Sequence, residues 1–159
     1  MSDDTLRFVA TDPEVLPEEA KTAAAQQVVA ARFPVAAVDV GRYDHVALID
    51  CGGNLETVRC ASCGADLFED GRWSRLMDVA WSSGMTQRRF DMTCCGTSQT
   101  LEELDYDWPL GFGRFSIDAR NPNVDWFHPG RDLGGDEQNL LQELALVLGV
   151  EMRAFWQHL

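Results

Sequence analysis

Four of the five cysteines fall in two short clusters. Cys60-Ala-Ser-Cys63-Gly64 is followed by Cys94-Cys95-Gly96, with 30 residues between Cys63 and Cys94. A Cys-x-x-Cys turn presents two thiolates on one side of a tight loop. The glycine after it allows the left-handed backbone that wraps amides around the sulfurs. Two such elements supply the four soft ligands of a tetrahedral zinc site. The second element departs from that pattern. Adjacent residues of an extended strand point to opposite faces, so Cys94 and Cys95 reach one metal only if the chain turns sharply, which Gly96 permits. The expected ligand set is Cys60, Cys63, Cys94 and Cys95, with Cys51 or His128 as the substitute for one of them. Four thiolates also suit iron. Such a set leaves no position for water, so it stabilises a fold rather than activating a nucleophile. A redox dithiol at Cys60/Cys63 is the competing reading. Thioredoxin-type motifs open a helix after a strand, whereas Gly64-Ala-Asp-Leu-Phe68 reads as a returning strand.

A second group of residues suits recognition. Glu102, Glu103, Asp105, Tyr106, Asp107 and Trp108 interleave acids with aromatics. Acids steer a basic partner and aromatics anchor it. Their spacing does not match a calcium loop. Net charge points the same way: Lys+Arg 13 against Asp+Glu 26 gives −13. That excludes a general nucleic-acid or anionic-membrane surface, since both need clustered positive charge. No phosphate loop or dinucleotide fingerprint is present. Of the three histidines, His45 sits at a turn and His158 near the end of the chain. His128 lies in the 121–135 loop with Arg131 and Asp132, where an enzyme site is the alternative to a binding function.

The positioning elements follow from periodicity. Residues 1–12 read as an acidic flexible tail, and 13–159 as a single domain. Pro17, Glu18 and Glu19 open a helix, with Ala20, Ala24, Val28 and Ala31 as its buried stripe, ending at Phe33-Pro34. Val35 to Val40 and His45 to Cys51, joined by Gly41-Arg-Tyr-Asp44, read as a hairpin. Leu55 to Arg59 is a short strand. Trp73, Leu76, Met77, Ala80 and Trp81 mark a second amphipathic helix. Arg88 to Thr93 and Phe115 to Ala119 alternate as strands. Asp136 to Leu148 is a third helix, capped by Gly149, and Val150 to Trp156 closes the chain as a strand. The fold class expected is α+β with a mainly antiparallel sheet, about three helices and an inserted knuckle pair over residues 55–100.

Val58-Arg-Cys-Ala-Ser-Cys-Gly64, the intervening helix and Thr93-Cys-Cys-Gly96 resemble a zinc-ribbon knuckle pair. The stretch Asp50-Cys-Gly-Gly-Asn54 through Leu104-Asp-Tyr-Asp-Trp-Pro109, with Trp156-Gln-His-Leu159, is similar to small bacterial proteins that carry this ribbon. The resemblance implies one structural zinc and no particular activity, because ribbons host many roles. The expectation is a zinc-binding, non-enzymatic acidic protein of the cytoplasm. The N-terminal stretch lacks the apolar run of a signal peptide, and free, spaced cysteines belong in a reducing compartment. It would work through contact with a basic protein, as an inhibitor, an immunity-type protein or an accessory subunit.

Overall fold

The computed structural model describes residues 3–159. In chain order the elements are β1 (Asp4–Ala10), α1 (Glu19–Arg32), β2 (Ala37–Ile49), β3 (Val58–Arg59), α2 (Arg72–Ser82), β4 (Arg89–Asp91), β5 (Ser98–Thr100), a 3-10 turn (Leu101–Glu103), β6 (Asp105–Tyr106), β7 (Gly111–Arg120), α3 (Gly135–Leu148) and β8 (Met152–His158). The fold is α+β. Its main sheet has the order β2-β7-β1-β8, with every neighbouring pair antiparallel. Among the described residues no helix is long and apolar enough to cross a membrane.

The sheet is apolar on both faces, and each face has its own cover. Side chains alternate along a strand, so Leu6, Phe8 and Ala10 share a face with Phe115, Ile117 and Ala119. That face packs under Ala25, Val29 and Phe33 of the α1 region and Leu140, Leu144 and Leu148 of α3. On the opposite face Val9, Phe112 and Phe155 meet Val58, Leu67, Ala80, Met85, Met92 and Leu101. Each buried Val, Leu, Ile, Phe or Met side chain among them contributes about 1.5–3 kcal/mol. Gly111 makes room on that face: a Cβ there would lie 3.1 Å from the Phe155 ring and 3.3 Å from Val9.

The cysteine-bearing segment has a defined place. β2 and β7 are paired along their length, and Ile49 faces Gly111. Residues 50–110 therefore fill the tip of a long hairpin. Two small two-stranded sheets, β3-β6 and β4-β5, organise that insertion, and it folds back to cover the sheet face opposite α1 and α3.

Four expectations are corrected. The flexible tail expected over 1–12 is corrected for the described residues, since Asp4–Ala10 form β1, an interior strand of the sheet; residues 1 and 2 lie outside them. The alternation Thr5-Leu-Arg-Phe-Val-Ala10 outweighs the acids before it. Residues 35–51 are not a hairpin: Ala37–Ile49 is one strand, β2, in which Gly41 and Arg42 still pair with Ser116 and Phe115 and the register with β7 shifts between Arg42 and Ala47. Both halves find a better partner in β7 than in each other. The buried residues of α1 are Thr22, Ala25 and Val29, not the stripe through Ala20, Ala24, Val28 and Ala31. Alanine on every side of this helix leaves the choice of face to the sheet. Trp81 is 69% exposed on α2 rather than buried.

Candidate metal centre

The two cysteine knuckles are backbone copies of each other. At the first, the Cys60 N–H donates to the Ala65 carbonyl at 2.9 Å and the Gly64 N–H to the Cys60 carbonyl at 2.9 Å. At the second, the Met92 N–H donates to the Thr97 carbonyl at 2.8 Å and the Gly96 N–H to the Met92 carbonyl at 2.7 Å. Gly64 and Gly96 close the turns with φ of 75° and 76°, a conformation that strongly favours glycine. Met92 thus stands where Cys60 stands, Cys95 matches Cys63, and Cys94 replaces Ser62. The sharp turn that a Cys-Cys pair requires is present.

The turns converge on one point. The Sγ atoms of Cys60, Cys63, Cys94 and Cys95 all lie within 4.8 Å of one another. Cys60 and Cys95 are 3.7 Å apart, and Cys63 and Cys94 are 3.4 Å apart. A disulfide would bring sulfurs to about 2.05 Å. A tetrahedron with metal–sulfur bonds of about 2.3 Å has edges of about 3.8 Å. The spacing fits a metal ion held by four cysteines. Cys51 is outside this group: it is 1% exposed in the core beneath the insertion, and burial raises its thiol pKa.

A shell of donors supports the thiolates. Gln99, 6% exposed, donates from Nε2 to Cys60 Sγ at 3.1 Å and to Thr97 Oγ1 at 2.8 Å. Its Oε1 accepts the Ala61 N–H at 3.1 Å. Thr97 Oγ1 lies 2.9 Å from Cys95 Sγ. Gln99 on β5 therefore ties the two knuckles together. Burial works against the Cys60 thiolate, but the Cys63 amide, Gln99, the Ser62 amide and Cys95 outweigh it and lower that thiol's pKa to about 6. Cys95 is also lowered, first by Thr97. Cys94 is pushed up to about 12 by burial and by its neighbours Cys63, Cys60 and Cys95. Four thiolates this close repel one another, and a divalent cation is the charge that lets all of them ionise.

The acidic loop is largely occupied by internal contacts. Tyr106 Oη donates to the Leu101 carbonyl at 2.7 Å and accepts from Trp73 Nε1 at 3.2 Å. Trp108 Nε1 donates to the Trp156 carbonyl at 3.1 Å. Glu102 pairs with Arg88 at 2.6 Å. Glu103 accepts the Thr100 N–H at 2.9 Å, and Asp107 accepts the Glu56 N–H at 3.2 Å. Glu103, Asp105 and Asp107 remain exposed.

In the 121–135 loop His128 pairs through Nε2 with Asp125 and stacks on Trp156, ring centroids 6.3 Å apart. Arg131 also reaches Asp125, at 3.5 Å. Asp132 is exposed and outside this group. The loop is shaped by Glu137, which sequence reading passed over. This 9% exposed carboxylate accepts the Phe127 N–H at 2.6 Å and the Gly134 N–H at 3.0 Å. It sits three residues after Gly134, the helix-capping spacing that signals such a role. Phe127 itself has a φ of 56°. No family model, no curated protein and no solved structure matches this chain.

Proposed function

We propose that the chain is a zinc-stabilised binding protein that acts through contact with a basic protein partner, as an inhibitor, an immunity-type protein or an accessory subunit. The observation that carries the metal half of this reading is the cluster itself: four converging sulfurs within 4.8 Å. Four protein ligands close a tetrahedral site, which suits structure and leaves no place for an activated water. The partner half rests on the net charge of −13 and on Glu103, Asp105 and Asp107 exposed together on one loop. Free thiols in such a site suit a reducing, cytoplasmic setting.

Elemental analysis with native mass spectrometry on unchelated protein tests the first half. One zinc per chain is expected. Iron would replace zinc in the reading, and a metal-free chain that loses hydrogen on oxidation would turn it to Cys60/Cys63 dithiol chemistry. Glu103→Lys with Asp105→Lys tests the second half. Association with the basic partner should slow, and more so at low salt; an unchanged rate removes the acidic loop from the interface.

One observation favours a second reading. Asp125, which pairs with His128, lines a cavity of ≈480 Å³ together with Asp4, Asn121 and Trp156, and a carboxylate that orients an imidazole is the arrangement of a general base. A turnover that survives His128→Ala intact would eliminate it.

A further inference from the structure

The insertion carries a cavity that neither the sulfur cluster nor the acidic loop uses. It lies between α2 and β4 and encloses ≈370 Å³. Leu67, Leu76, Val79, Phe90 and Met92 supply its apolar lining. A shallower depression shares Val79 and Gln87 with it and follows α2 to Ser83. The two form one groove along α2, about 16 Å long for 11 residues.

One wall of this groove is a strand edge. The Met92 N–H bonds to the Thr97 carbonyl, the Leu101 N–H bonds to the Arg88 carbonyl, and Phe90 pairs with Gln99. Residues 88, 90 and 92 therefore face β5. Antiparallel alternation turns the backbone N–H and C=O of Arg89 and Asp91 the other way. β4 and β5 form a two-stranded sheet, so that edge has no strand beside it. Asp91 lines the cavity. Bare backbone donors and acceptors next to an apolar cavity are the template for an added strand whose alternate side chains enter the pocket.

Charge narrows the occupant. Arg72 and Arg75 line the same cavity. Arg72 is held by Asp70 at 2.7 Å. Arg75 is exposed and makes no ion pair among the described residues. A free guanidinium at the mouth of an apolar pocket is complementary to a carboxylate.

We propose that the α2–β4 groove binds an extended segment of a partner protein in which an apolar side chain adjoins an acidic one. The segment adds to the free edge of β4, the apolar side chain fills the cavity, and the carboxylate pairs with Arg75. The overall charge of the chain steers a basic partner towards it, while this local contact sets the register. The inference rests on the metal reading in one respect: β4 runs directly into Met92 and Cys94, so the cluster anchors that wall.

The test pans a phage-displayed library of random nonapeptides on the full chain, with metal content measured on the same sample. Selected peptides are resynthesised and titrated by fluorescence anisotropy. An apolar residue beside Asp or Glu is expected in the consensus. Val79→Glu, a change at an exposed helical position, should weaken binding by about tenfold, because it sets a charge in the apolar cavity. Arg75→Ala should weaken it by about threefold, the worth of an exposed ion pair. Methylating alternate peptide nitrogens should abolish it. No enriched peptide, a consensus without acids, or binding indifferent to Val79→Glu would overturn the proposal. So would self-association that Val79→Glu abolishes, since the occupant would then be a second copy. Peptide binding by a chain that takes up no metal would refute the zinc reading alone, and a loaded chain without binders would refute the groove alone.

Discussion

Met92 occupies the backbone position of a missing cysteine, and this can be tested by moving a ligand. Cys94→Ala leaves three thiolates. The cluster links Cys60 to Cys95 across 35 positions of sequence. Treated as a cross-link, closing a loop of that length is worth about 4 kcal/mol. A chain of this size loses roughly 2–4 °C of Tm per kcal/mol, so Cys94→Ala should lower Tm by about 8–16 °C and abolish any further drop on chelation. Met92→Cys added to that variant restores a Cys-x-x-Cys knuckle on an unchanged backbone. Met92 is 3% exposed, and shortening it removes buried atoms worth about 2 kcal/mol. The double variant should therefore regain one metal per chain and about half of the lost Tm. The assay is thermal unfolding with and without chelator. The thiolate-to-metal charge-transfer band of the cobalt-substituted protein confirms the ligand count. A double variant that binds no cobalt and melts with Cys94→Ala would refute the equivalence of the two knuckles.

Three further outcomes are expected. Gln99→Leu removes the side-chain amide donor to the buried Cys60 sulfur and the acceptor of the Ala61 N–H and should weaken metal affinity by about 10–100-fold in a competitive chelator titration. Glu137→Ala removes the acceptor of the Phe127 and Gly134 amides. It should destabilise the chain by about 2–3 kcal/mol in urea unfolding, with new proteolytic cleavage in the 121–135 loop. Burial raises the Tyr106 pKa, opposed by the Trp73 hydrogen bond and assisted by the Glu102 charge. The folded state therefore favours the neutral phenol. Its contribution is complete below the unfolded value of about 10 and is lost as pH rises beyond that value towards the folded one. Urea unfolding above pH 10 should show a loss of stability with rising pH that is smaller in Tyr106→Phe, and equal slopes in the two proteins would contradict the assignment.

The candidate site was legible because its signals are local. A Cys-x-x-Cys-Gly turn is specified by five adjacent residues, and its hydrogen bonds close within the turn. The same holds for α3, whose Leu140, Leu144 and Leu148 stripe ends at Gly149 with a φ of 74°. It holds as well for β7, where Phe115, Ile117 and Ala119 alternate into the core. The supporting contacts were not legible. Gln99 reads as an ordinary polar residue until β5 pairs with β4 and carries it to Cys60. Glu137 and Phe127 meet only when the loop folds onto the start of α3. Tyr106 and Trp108 read as exposed anchors, yet Tyr106 bonds within the insertion to Leu101 and Trp108 bonds to Trp156 on β8.

Composition and spacing alone determined the acidic balance, the pairing of the two cysteine knuckles, the three helices and the α+β class, because each depends on residue type or on periodicity over a few turns. Tertiary structure decided which strand lies beside which. It placed Asp4–Ala10 inside the sheet, merged two apolar runs into β2 against β7, and selected the face of α1 through Thr22, Ala25 and Val29. Strand pairing and helix orientation are settled by burial against residues distant in sequence. An alanine-rich helix or a short β-rich run carries no local record of that partner.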